Sequence, residues 1–280
     1  MNALEIKNLT KSYDDFLLDN LNLTLPGGCI MGLIGENGAG KSTTIRLILD
    51  MIRKDGGTVR ILGRRNTDNA VSIREELGVV LDDVGLPECL NLDEIGDVMR
   101  YTFKNWDDGE FDRLIRRFSL PRDKQFRDFS RGMKMKTGIA IALSHKSRLL
   151  ILDEATSGLD PVARDDVVEL LSEFTRDENH SILISSHIVS DLERLCDYVA
   201  FLHRGKLLLL EEKDALLAEY GLVHCTAEQL RTIPEGAIRY RKENPYGVEA
   251  MVLRKDVPQG IAVSPISIEE LFVFMVKEAK

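Results

Sequence analysis

Gly35-Glu36-Asn37-Gly38-Ala39-Gly40-Lys41-Ser42 fits Gly-x-x-x-x-Gly-Lys-[Ser/Thr] at every fixed position. Glycines let the backbone curl around a phosphate chain so that successive N–H groups point inward, and a helix that follows adds its positive N-terminal end. In that geometry Lys41 reaches the β and γ phosphates and the Ser42 hydroxyl is a magnesium ligand. The rest of the stretch, with Thr43, wraps the same phosphates. Average residue frequencies produce such a match by accident in roughly one chain of this length in a hundred. Here the flanks agree as well. Residues 29–34 are almost wholly apolar, as a strand buried on both faces must be. Residues 41–52 carry Ile45, Ile48, Leu49 and Ile52 at helical spacing. Position and composition together assign the loop to ATP with magnesium.

A second stretch completes the chemistry. Residues 149–152 are four apolar side chains, followed by Asp153 and Glu154. A buried strand ending in two acids is commonplace alone. Beside a phosphate loop, Asp153 is placed to hold magnesium through water, and Glu154 to polarise the attacking water as general base.

The 280 residues suffice for one large α/β unit with an appendage. Residues 3–9 and 16–25 read as strands, and 58–62 returns as another. Residues 86–146 change character. Leu92, Ile95 and Met99 mark one amphipathic helix, and Phe111, Leu114, Ile115 and Phe118 a second with Asp107 or Asp108 as its N-cap. A third follows Ser130 to about His145. Strands and helices then alternate again, with a helix over Pro161–Phe174 capped by Asp160. This rhythm predicts a parallel sheet with its ligand at the carboxyl ends of the strands. Beyond about Gly221 the chain breaks into short strand-like pieces and ends in a helix through Ile268, Leu271, Phe272 and Met275. Ser267 and Glu270 have capping-box spacing there.

Composition excludes several classes. At 44% hydrophobic and 30% charged the chain reads as an ordinary globular protein. No apolar run approaches the roughly 18 residues of a spanning helix, residues 207–210 being far too short. The first residues lack the basic-then-apolar pattern of a secretory signal, so a membrane role has to come through a partner. A net charge of −9 makes a poor general nucleic-acid binder. Arg113, Arg116 and Arg117 read as a solvated helix face. The four cysteines form no Cys-x-x-Cys pair and read as small buried thiols.

The stretch Asp153-Glu154-Ala155-Thr156-Ser157-Gly158-Leu159-Asp160-Pro161 resembles the ATPase subunit of an ABC transporter. The resemblance covers residues 1 to about 220. Tyr13 matches the aromatic residue on which adenine stacks. Ser157 to Asp160 matches the D-loop, and His187 the switch histidine that contacts the γ-phosphate. Phe129-Ser130-Arg131-Gly132-Met133 stands in the place of the signature motif. The likeness implies a P-loop NTPase core with a parallel sheet, an N-terminal antiparallel β subdomain and an inserted helical subdomain at about 86–146. Residues 221–280 would form a small α+β extension. It also implies a half-unit. Ser130 and Gly132 on the signature helix would cover the nucleotide of a second ATPase subunit, with Asp160 linking the two sites, and a separate membrane permease would receive the motion.

Two departures from the family pattern stand out. Arg131 replaces the first signature glycine, with Met133 for the glutamine, as in the export-type branch. Asp82 stands where the family has glutamine or glutamate, still able to meet magnesium or its water. The runner-up reading is a soluble ABC-type ATPase acting on nucleic acid or ribosomes. The acidic balance and single nucleotide loop weigh against it.

Overall fold

A computed structural model describes residues 1–68, 70–245 and 247–278 of the protein. The chain begins with strands β1 (Asn2–Ser12) and β2 (Leu17–Pro26), paired antiparallel. Along β2 the buried residues are Leu18, Leu21, Leu23 and Leu25, with Asn20, Asn22 and Thr24 exposed. The three-residue step from Leu18 to Leu21 breaks strict alternation. Asn20, like Asn8 in β1, sits at φ 52, and the register shifts beside both. Asparagine tolerates this left-handed conformation, so each strand kinks without losing its buried face.

β3 (Ile30–Ile34) is buried throughout and runs into the glycine loop and helix α1 (Lys41–Ile48). The helix is shorter than the predicted 41–52. Asp50 turns left-handed at φ 56, and Met51 and Asp50 donate their N–H groups to Arg46 O and Leu47 O. This double closure ends a helix whatever the apolar spacing beyond it. β4 (Gly56–Ile61) and β5 (Arg64–Arg65) extend the first sheet to the order β2-β1-β4-β5.

After α2 (Ala70–Arg74) and β6 (Leu77–Val80) come three helices, α3 (Leu92–Thr102), α4 (Asp108–Arg117) and α5 (Arg131–Leu143). Local chemistry starts each one. Asn91 and Glu94 form a capping box, the Asp107 carboxylate accepts from Glu110 N–H, and the Ser130 hydroxyl accepts from Met133 N–H. Arg113 and Arg117 pair with Glu110, Glu169 and Glu173, the solvated face expected of them.

The α/β part resumes with β7 (Leu149–Asp153), α6 (Pro161–Phe174), β8 (Ser181–Ser186), α7 (Val189–Leu195) and β9 (Tyr198–His203). Residues 207–210 lie in a further strand, β10 (Lys206–Glu212), antiparallel to β9. The sheet order is β10-β9-β3-β8-β7-β6, parallel from β9 to β6. The order sets the carboxyl ends of β3, β8 and β7 side by side. Everything that follows β3, β7 and β8 in sequence therefore converges on one rim.

α8 (Lys213–Glu219) leads to a three-stranded antiparallel sheet of β11 (Tyr220–Cys225), β12 (Ile238–Asn244) and β13 (Gly247–Leu253), with α9 (Ala227–Leu230) between the first two. The chain closes in α10 (Ile268–Glu278), begun by a reciprocal Ser267–Glu270 capping box. The apolar stripe of α10 packs on its own chain. Phe272 meets Phe201 edge-on at 5.3 Å between ring centres, and Leu271 joins the core that holds Leu192 and Leu195 of α7. Each such buried side chain contributes about 1.5–3 kcal/mol.

Cysteine burial is uneven. Cys196 and Cys225 are buried, Cys29 is partly so, and Cys89 is exposed, against the expectation of four buried thiols. Cys89 sits between Glu88 and Leu90, whose carbonyls accept from Arg127 and Phe126 N–H and of which Leu90 packs on the core, so its own side chain is left facing out. No helix among the described residues is long and apolar enough to cross a membrane.

Candidate active site

The rim carries a cavity of about 610 Å³ whose walls include Tyr13, Gly38, Lys41, Ser42, Glu154 and His187. Two glycines in left-handed conformations shape the loop: Gly38 has φ 79 and Gly40 φ 109. A Cβ on Gly40 would be strained by the positive φ and would also push the Phe16 ring tip, 2.7 Å away, aside. Gly40→Ala is expected to weaken nucleotide binding about 5- to 30-fold by calorimetry. Strain of about 1–2 kcal/mol at a positive φ falls on the residue that opens α1.

Lys41 is buried. Its Nζ donates to Gly35 O at 2.7 Å and lies 3.4 Å from Glu154 Oε1. The other oxygen, Glu154 Oε2, meets His187 Nδ1 at 2.6 Å and accepts the His187 N–H at 3.3 Å. A continuous line of polar contact therefore runs from the glycine loop through Glu154 to His187. It joins the ends of three strands that sequence separates widely.

Glu154 has a backbone angle of φ 55, uncommon for a residue with a Cβ. Its N–H is held by Ser185 O at 3.1 Å and Ser185 Oγ at 3.2 Å. The Ser185 hydroxyl in turn donates to Asp153 Oδ1 at 2.5 Å. Ser185 on β8 thus grips Asp153 at the end of β7 and Glu154 just after it, fixing Asp153 under the rim and tipping Glu154 into the cavity. A strained backbone held from both sides in this way fixes where the Glu154 carboxylate points.

Not every predicted residue meets here. Ser42, Thr43, Glu36, Asn37 and Asp82 line the cavity, whereas Gly35, Ala39, Asp153, Ser130, Gly132 and Asp160 stand outside its wall, Ala39 and Asp153 being buried beneath it. Asp160 caps α6, accepting from the N–H groups of Val162 and Ala163, and the Ala163 bond holds its carboxyl below the usual range. Tyr13 is half exposed, with Lys11 Nζ 5.3 Å from its ring centre.

A family model described as ABC transporter matches residues 18–157. The chain belongs to the ABC transporter ATP-binding family. The lantibiotic transport ATP-binding protein SrtF of Streptococcus pyogenes is 35% identical over 75% of this chain and 91% of its own length. A solved ATP-binding subunit of an ABC transporter superposes with a TM-score of 0.70 at 31% identity, over 76% of this chain and 91% of the other. The ATP-binding cassette MJ0796, solved as a dimer in a post-hydrolysis state with ADP and Pi, shares the fold at a TM-score of 0.67 and 20% identity, over 75% and 98% of the two chains. None of the three is named for action on nucleic acid. As a member of this family the chain binds and hydrolyses ATP to power a transporter.

Four features of this ABC ATPase were not anticipated from sequence. Phe16 joins Tyr13 in the cavity wall. Its place three residues after Tyr13, where the chain reverses, was the available signal. Ser185 stands near the end of β8, two residues before His187, and its hold on the acids after β7 was not anticipated. Arg131 enters the wall of its own cavity, with its guanidinium on Asp82. His203, buried at the end of β9, has its Nδ1 3.3 Å from Glu36 Oε2 of the phosphate loop.

Proposed function

We propose that this chain is the motor of an exporter whose permease is a separate membrane protein, and that it works at the cytoplasmic face as one of two ATPase subunits. The contact line Lys41–Glu154–His187 at the mouth of the glycine loop carries the reading. Lys41 and the loop from Gly35 to Thr43 bind the triphosphate, and Tyr13 takes the adenine. Glu154 accepts the proton of the attacking water, and His187 orients Glu154 and the γ-phosphate. Among the described residues no cluster of three His, Cys, Asp or Glu side chains is arranged to hold a metal alone. The oxygen donors Ser42, Asp153 and Asp82 suit magnesium, which commonly takes one or two carboxylates plus substrate phosphates. The ion would neutralise charge on the phosphates.

The organisation follows the same reading: residues 1–220 as the ATPase unit with its helical block at about 86–146, and 221–280 as an α+β extension. Ser130, Gly132 and Asp160, outside their own cavity wall, serve the nucleotide of the second subunit, a pairing that the dimeric MJ0796 neighbour supports. An apolar groove of about 320 Å³ lies at the seam of core and helical block, lined by Leu49, Met51, Val79, Phe103, Ile141 and His145. A cytoplasmic helix of the permease would seat there, beside the strand that leads to Asp82 and Asp83. Export and an antibiotic-like peptide cargo rest on the relative named for lantibiotic transport.

Deleting the permease gene is expected to move the protein from the membrane fraction to the cytosolic one. Retention on membranes without any permease would contradict the assignment.

A further inference from the structure

Arg131 starts α5 and turns back across its own subunit. Its stem passes over Gly158, where a Cβ would lie 3.2 Å from Arg131 Cδ, and its Nη2 donates to the Asp82 carboxylate. Gly158 has φ 76, so backbone angle and clearance both keep a side chain away from that crossing. Asp82 follows β6 of the core, Arg131 opens the last helix of the helical block, and Gly158 belongs to the D-loop. One side chain therefore ties together three segments: the one that follows β6, the start of α5, and the turn at Gly158. Asp82 and Arg131 are also among the places, with Met133, where this chain leaves the family pattern. A glutamine at position 82 or a glycine at position 131 would not form this ion pair, whereas a glutamate at position 82 would keep it.

The pair lines the same cavity as Lys41 and Ser42, and its side chains are 55% and 57% exposed. Solvent and salt screen a pair this open. A triphosphate offers several anionic oxygens to the same guanidinium, with the bidentate geometry that arginine favours. Asp82 and a bound nucleotide are thus competitors for Arg131.

We propose that Arg131 and Asp82 form a nucleotide-released latch. Arg131 is a positioning residue that holds the helical block and D-loop against the Asp82 segment of its own subunit. Phosphate oxygens take the guanidinium from Asp82 and free the helical block to turn. The inference rests on the nucleotide reading of the cavity, and the test separates the two.

Spin labels on Cys89, exposed in the helical block, and on a Met51→Cys substitution, exposed in the core, report the distance between them by pulsed electron resonance in a Cys29→Ser full-length chain. In the otherwise unaltered protein, magnesium with a non-hydrolysable ATP analogue should shift this distance by roughly 2 Å or more, the scale of a genuine rearrangement. Arg131→Gln and Asp82→Asn should each broaden the distance distribution toward the nucleotide-bound value without nucleotide, the few-fold population change that loss of so exposed a pair allows. The double variant should go no further than either alone, the non-additivity of a broken pair. If both single variants keep the narrow parental distance without nucleotide, the latch is refuted. Calorimetry with the same analogue on the parent protein tells the failures apart. Absent binding removes the nucleotide reading, whereas intact binding with unmoved distances removes the latch alone.

Discussion

Replacing Glu154 with glutamine is expected to slow ATP hydrolysis by about 100- to 10,000-fold, the range set by losing a positioned general base, while nucleotide affinity stays at or above the parental value. The amide preserves size and keeps the strained backbone, whose N–H remains on Ser185. It cannot take a proton from water. It also removes one negative charge 3.4 Å from Lys41 Nζ, so the lysine is left more available to phosphate. Two subunits that bind ATP and do not consume it should stay together, and size-exclusion chromatography with magnesium-ATP should show a dimer that the parent protein forms only transiently. Hydrolysis at the parental rate would end the assignment of Glu154 as base.

Lys41→Ala is expected to lower magnesium-ATP affinity by at least tenfold. Hydrogen bonds to charged groups contribute about 1.5–3 kcal/mol each, and one such loss already exceeds a tenfold change. Two consequences are written in its contacts. The carbonyl of Gly35 loses its 2.7 Å donor, and the Glu154 carboxylate, only 15% exposed, loses its cation. The cavity becomes more negative just where an anion must enter. Lys41→Arg should rescue poorly, because a planar guanidinium does not fit a buried point-charge site. Isothermal calorimetry measures both variants, and circular dichroism checks that each remains folded. Unchanged affinity in Lys41→Ala would place the triphosphate elsewhere.

Much of the active site was legible before any coordinates because its chemistry is local. A glycine-rich loop between a buried strand and a helix, and two acids after an apolar strand, are complete within ten residues each. The helix starts were equally readable, since Asp107, Ser130, Asp160 and Ser267 act on N–H groups two or three positions away. Helix ends were less so. The stripe through Ile52 gave no warning that Asp50 would turn left-handed and close α1 early.

The amino-acid order alone determined the ATP chemistry, the α/β class, the inserted helices and the family, because each is encoded in near-neighbour spacing. The folded chain alone decided which distant groups meet. Ser185 grips Asp153 across 32 residues and Arg131 reaches Asp82 across 49, while α10 lies on α7 of the same subunit. Those meetings depend on strand order in the central sheet, which sets β7 beside β8 and β6 at the edge. Strand order follows from how whole elements bury their faces against one another, and no short window of residues carries that information.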